Sequence, residues 1–190
     1  IIAPVPKLPT AAAMLAAFVL VLVPVCPARA QSDTPSLRAG RLPADLSLDG
    51  RLDEPAWQAA DRSDAFLQLD PMQGAPPSAR TQIQVLADAR ALVIGILCEE
   101  PDPDRMVSYS VRRDAVLTAE DHVVVVLGPF ADGRSGYVFT VNPNGARYDG
   151  LINPGGDSDN PDWDGIWEAR VARLPNGWSV EMRIPVLTLA

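Results

Sequence analysis

At 190 residues, 47 % of them hydrophobic and 21 % charged, the chain has enough apolar material for one domain with a sizeable core and too little for two. Its formal charge of −8, from 24 acidic against 16 basic residues, repels nucleic-acid phosphates and anionic lipid heads. Such a surface suits neutral partners or bound cations.

Residues 11–25 form an apolar stretch preceded by Lys7 and followed by Ala28-Arg29-Ala30, which reads as a secretory signal peptide (1–30) cleaved after Ala30. The stretch falls short of the roughly 20 apolar residues of a spanning helix, and Pro24 interrupts it. Val25 stands where a lipoprotein signal wants a small residue before Cys26. An exported protein of the periplasm or outer membrane is expected. Cleavage removes Lys7 and Arg29 and no acid, so the mature part is more acidic still, and Cys98 has no internal partner for a disulfide. The start at Ile1 and the apolar run 187–190 read as the ends of a piece cut from a longer chain, truncated at the C-terminus.

Residues 31–44 mix Ser, Pro, Gly and Arg without hydrophobic period and predict a linker, with order beginning near Asp45. Leu46 and Leu48 alternate before an Asp49-Gly50 turn; Asp53 reads as the N-cap of a helical turn with Pro55 in its first turn and Trp57 facing the core. Phe66, Leu67 and Leu69 predict a short strand. Ile83, Val85 and the run 91–98 predict a hairpin around Asp88-Ala89-Arg90. The β-branched run 122–127 predicts a central strand covered on both faces. Strands follow at 137–141, 146–152, 166–173 and 178–184, separated by Asp-Gly and Asn-Gly turns. With no long amphipathic helix, this pattern predicts an all-β sandwich of two antiparallel sheets, roughly eight to ten strands over residues 45–190.

The chemistry gathers in "DNPDWDGIWEAR" (159–170). Period-two counting puts Trp167 with Ala169 and Val171, and Trp178 with Val180, Met182 and Ile184, so both indoles read as core; Ser179, Glu181 and Arg183 take the opposite face. Trp163 lies in a loop between Asp162 and Asp164. Either it is an ordinary loop plug or its indole stacks on a pyranose while Asp162, Asp164 and Asn160 accept or donate hydrogen bonds to sugar hydroxyls. Tyr109, Tyr137 and Tyr148 are weaker candidates for a second stacking surface. Asp157 and Asp159, with the nearby acids, resemble an oxygen shell for calcium, although Asp is also common in turns. Glu99, Glu100, Asp102 and Asp104 carry the same two readings. No carboxylate pair stands out for glycoside hydrolysis and no nucleophile motif adjoins His122, so no catalytic residue is assigned; a haem on His122 with Met106 or Met182 lacks an attachment motif. Arg112-Arg113-Asp114 reads as a solvated charge cluster or an internal ion pair.

The stretches "LDGRLDEPAWQAA" (48–60), "RRDAVLTAEDHVVVVLGPFADGRSGYVFTVNPNGARYDG" (112–150) and "DWDGIWEARVARLPNGWSVEMRIPVLTL" (162–189) resemble carbohydrate-binding module family 9. The chain is similar in particular to versions N-terminal to a predicted outer-membrane β-barrel in exported bacterial proteins. The resemblance implies a noncatalytic β-sandwich that binds polysaccharide or oligosaccharide, with two tryptophans clamping a terminal sugar and calcium bracing the loops, in a protein linked to carbohydrate catabolism. Trp163 matches one half of such a clamp; the second half has no identifiable match. The alternative is a structural or gating cap for the barrel, without a ligand of its own.

Overall fold

The computed structural model describes residues 36–154 and 159–190. The predicted signal peptide, the start of the predicted linker and Asp157 lie outside the described residues. In chain order the elements are β1 (Gly40–Arg41), α1 (Pro55–Ala59), β2 (Arg62–Ser63), β3 (Thr81–Ala87), β4 (Ala91–Glu99), β5 (Val123–Leu127), β6 (Gly136–Val141), β7 (Arg147–Ile152), β8 (Asp159–Asn160), β9 (Glu168–Leu174) and β10 (Gly177–Pro185). Single 3-10 turns lie at Pro103–Arg105 and Val186–Leu189.

Two sheets form the sandwich. The six-stranded sheet runs β1-β3-β4-β10-β9 with β2 on β3, and the four-stranded sheet runs β5-β6-β7-β8. Every pairing is antiparallel except β1 on β3. Ile94 and Ile96 of β4 and Trp178, Val180, Met182 and Ile184 of β10 face Val125, Tyr137, Phe139 and Val141 of the second sheet, and this is the main core. Alternating apolar residues on both inner faces make that packing possible. Trp167 and Trp178 are buried in it, as period two requires.

A second core lies on the other face of the six-stranded sheet. Leu42, Trp57, Ala60, Leu86 and Val93 are buried there beneath the segment that carries α1. Its presence explains why Ser179 and Glu181, on the face opposite the main core, are 1 % and 0 % exposed. Glu181 accepts hydrogen bonds from Asp49 N at 2.8 Å, Gly50 N at 2.9 Å and Trp57 Nε1 at 3.0 Å, and Ser179 Oγ donates to Gly50 O at 2.6 Å. The Asp49-Gly50 turn and Trp57 are thereby tied to a strand more than a hundred residues away.

Four sequence expectations change. β5 is an edge strand, not a central one, and Val124 and Val126 are 51 % and 56 % exposed. A continuous β-branched run marks a good strand and does not report how many neighbours it has. Residues 66–69 form no strand; the edge of β3 is taken by Arg62–Ser63 instead. The residue at the N-cap of α1 is Glu54 rather than Asp53, and no side chain caps it. Paired structure starts before Asp45, with Gly40 opposite Leu86 and Leu42 buried.

Candidate functional site

The alternation of β7 places its side chains on two different tasks. Asp149 and Leu151 point inward, and Tyr148 and Gly150 point to the outer face of the four-stranded sheet. Inward, Asp149 Oδ1 accepts from Arg113 Nη2 at 2.7 Å and Trp167 Nε1 at 3.0 Å, and Oδ2 accepts from Gly165 N at 2.5 Å. Arg113 also donates to Asp164 Oδ1 at 2.9 Å. Arg147 Nη1 donates to Trp167 O at 2.7 Å, with its guanidinium 5.3 Å from the indole centroid. These contacts fix loop 159–168 onto the sheet, and they make Arg113 an internal ion-pair partner, one of the two readings its sequence allows.

Trp163 is turned inward by this arrangement. Its ring lies 4.9 Å from Tyr137 and 6.2 Å from Phe139, both from the inner face of β6, and it is half-buried against the main core. A Cβ on Gly165 would stand 2.7 Å from the Trp163 ring, so the indole also rests on its own loop backbone. Nothing apolar adjoins Trp163 in sequence; the residues that shield it come from another strand. Tyr137 is buried with it, while Tyr109 is exposed elsewhere on the surface. Asp162 and Asp164 are exposed, and Asn160 Oδ1 accepts from Asp162 N at 3.0 Å, an Asx-turn contact that shapes the loop.

The outer face of the four-stranded sheet carries a groove of about 470 Å³. Val124, Val138 and Thr140 form its floor, Tyr148 with Asp159 and Pro161 one wall, and Asp114, Val116 and Thr118 the other, with His122 at the strand end. The Tyr148 hydroxyl donates to Asp159 Oδ2. Gly150 makes room for that pair, since a Cβ there would meet Asp159 Oδ2 at 2.5 Å and the Tyr148 hydroxyl at 3.0 Å. Burial, then the hydrogen bond and the negative charge of Asp159, push the Tyr148 phenol up to about 12, so it remains a donor at neutral pH. His122 Nδ1 lies 2.7 Å from Glu120 O; a carbonyl only accepts, so Nδ1 carries the hydrogen.

Glu120 lies in sequence between Thr118 and His122 of the groove lining and does not line it itself. Its carboxylate accepts from Tyr109 N at 2.8 Å, Ser110 N at 3.1 Å and Asn142 Nδ2 at 2.9 Å. Burial pushes this carboxyl up, but the Ser110, Tyr109 and Asn142 donors outweigh it and hold the group down at about 2. Asp114 at the rim has a φ of 57°, a left-handed conformation uncommon outside glycine. Its N–H donates to Arg147 O at 2.8 Å.

The structure therefore separates the predicted site residues. Asp159 reaches the groove; Asp162 and Asp164 stand on the loop beyond it; Trp163 belongs to the core side. Among the described residues no group of three His, Cys, Asp or Glu side chains could hold a metal ion. One oxygen of Asp159 accepts from Tyr148 and one of Asp164 from Arg113. Met182 is fully buried and out of reach of a haem. Of the three tyrosines weighed by sequence, Tyr148 is the one that lines this groove, two positions before Gly150 on the outward side of β7.

A scan against protein-family models finds no match, and a search of the curated proteins finds no relative. Among solved structures, the chain shares the fold of carbohydrate-binding module family 9 domains. One such domain from Caldicellulosiruptor kristjanssonii, in complex with glucose, aligns at 17 % identity and a TM-score of 0.53, over 77 % of this chain and 66 % of that one. The same kind of module from that organism, in complex with cellotriose, aligns at 17 % identity and a TM-score of 0.50, over 74 % and 63 %. The chain thus spans under two thirds of the length of either solved chain.

Proposed function

We propose that this chain is a noncatalytic carbohydrate-binding module that takes a neutral glycan in the outer groove of its four-stranded sheet. The observation that carries this reading is the groove itself. It combines an apolar floor, a tyrosine ring fixed by Asp159, and hydroxyl and carboxylate groups at both walls, the mixture on which a pyranose can rest its C–H face and bond its hydroxyls. Among the described residues no lysine or arginine lines it, which disfavours an anionic sugar. The fold shared with modules solved with glucose and cellotriose supports the ligand class. Asn160, Asp162 and Asp164 extend the site along the loop for a longer oligosaccharide, and Trp163 serves as the wall behind that loop. An exported setting, attachment to an outer-membrane barrel and a part in polysaccharide catabolism complete this reading.

Titration calorimetry of the 190-residue chain with glucose and cellotriose tests it. A measurable affinity is expected, weakened about tenfold or more in Tyr148→Ala, a loss of about 1.4 kcal/mol for a removed stacking face. Binding that ignores Tyr148 and Asp159→Ala but disappears in Trp163→Ala would move the site to the loop. The inward packing of Trp163 favours a second reading, in which the domain is an architectural cap for a barrel; no glycan affinity in any variant is its outcome.

A further inference from the structure

Strand β5 is an edge of unusual character. Sheet edges elsewhere in the molecule are blunted: β1, β2 and β8 are two residues long, and β9 carries Glu168, Arg170 and Arg173. β5 reads Val-Val-Val-Val-Leu, without charge or proline, and among the described residues pairs only with β6. Among the described residues its backbone makes no hydrogen bond outside that pairing. Short length, charge and proline are the usual devices that keep an edge from recruiting another strand, and β5 has none of the last two.

The space beside this edge is hollow. A crevice of about 450 Å³ opens there between the two sheets, lined by Phe66, Ile83, Ile96, Cys98 and residues 123–126. It exposes the margin of the main core, in which Ile83, Cys98 and Val123 pack. Burial pushes the Cys98 thiol up to about 12, so it stays neutral and belongs to the apolar wall. The crevice shares Thr81, Cys98 and His122 with a second cavity of about 330 Å³, whose lining adds Glu99, Glu100 and Asp121. Among the described residues no lysine or arginine lines either cavity. The result is one trough, apolar along β5 and acidic beyond its N-terminal end.

We infer that β5 accepts an extended peptide strand, apolar at alternate positions and ending in basic residues, which adds to the four-stranded sheet and closes the crevice. Main-chain hydrogen bonds to the free edge of β5 supply a generic attraction, and alternate side chains entering the crevice beside Ile83 and Ile96 supply the fit. The acidic end fixes direction, because a lysine or arginine beyond the last apolar residue meets Glu99 and Glu100. This inference does not rest on the sugar reading, although His122 and Val124 line both the crevice and the groove on the outer face of the same sheet.

The test uses the 190-residue chain and a fluorescein-labelled peptide, Thr-Val-Thr-Val-Thr-Val-Lys-Arg, followed by anisotropy. Saturable binding is expected. It should weaken about threefold when the terminal pair is Glu-Asp, the size of one exposed ion pair, and vanish when the central valine is proline. Val126→Lys places an edge-guarding charge at an exposed position outside the sugar groove and should abolish binding, with circular dichroism confirming the fold. Glu99→Gln should erase the preference for the basic end. Equal binding of the proline peptide, or full binding by Val126→Lys, overturns the inference. So does concentration-dependent dimerisation in sedimentation that Val126→Lys removes, which would give the edge to a second copy. Binding that appears only after residues 1–35 are removed would give it to the chain's own N-terminal segment, and overturns the inference likewise.

Discussion

Two buried carboxylates do the same mechanical task on opposite sides of this molecule and differ in how their charge is met. Glu181, under the second core, accepts from two backbone N–H groups and the Trp57 indole, and among the described residues no cation touches it. Asp149, under loop 159–168, accepts from one backbone N–H, the Trp167 indole and Arg113. Each ties an indole and a turn to a distant strand. Neutral donors satisfy hydrogen-bonding capacity without cancelling charge, so burial pushes the Glu181 carboxyl up against its Gly50, Trp57 and Asp49 donors. The arginine beside Asp149 is 34 % exposed while the carboxylate is 0 % exposed, so the pair carries its charge to the solvent boundary. The Glu181 clamp anchors the scaffold; the Asp149 clamp anchors the loop beside the groove.

Breaking the clamps separates these roles. Glu181→Ala strands its three donors and opens a cavity in the second core, and should cost about 3–5 kcal/mol in urea denaturation with little change in glycan affinity per folded molecule. Arg113→Ala leaves Asp149 buried without its cation; because the arginine is part-exposed, the loss should be smaller, about 1–3 kcal/mol, and loop 159–168 should become the first segment to exchange amide hydrogens. Gly165→Ala forces the Trp163 ring away from its seat and should cost about 1–2 kcal/mol, with a red shift in fluorescence, since the other three tryptophans are already buried.

Acid sharpens the contrast further. The folded-state pKa of Glu181 is raised, so the folded protein holds that proton more tightly, and its contribution to stability improves as pH falls through the raised value and levels off below the unfolded value of about 4.3. Glu120 is held at about 2, so its contribution is fully present above about 4.3 and is lost as pH falls from there through about 2. Stability measured from pH 7 to pH 2 should therefore lose less on the acid side in Glu120→Gln and more in Glu181→Gln than in the unaltered chain. Parallel curves for the two variants would contradict the assigned environments.

The amino-acid sequence by itself determined the strands that alternate and the tryptophans that share a face with small apolar residues. Trp57, Trp167 and Trp178 are core because local periodicity fixes which way a side chain points. It could not determine what lies across from that side chain. Glu181 alternates like a solvent-facing residue and is buried because residues 42–60 fold over it. Trp163 stands alone among acids in sequence and is shielded by Tyr137 and Phe139 of another strand. The valine run of β5 has the composition of a central strand and sits at an edge, because strand order is set by long-range pairing and not by composition. Tyr148 is one of three stacking candidates by sequence, and only the pairing of β8 with β7 brings Asp159 to its hydroxyl. Period and turn chemistry act over a few residues; burial, charge pairing and the groove come from segments tens of residues apart, and those are settled only when the sheets close.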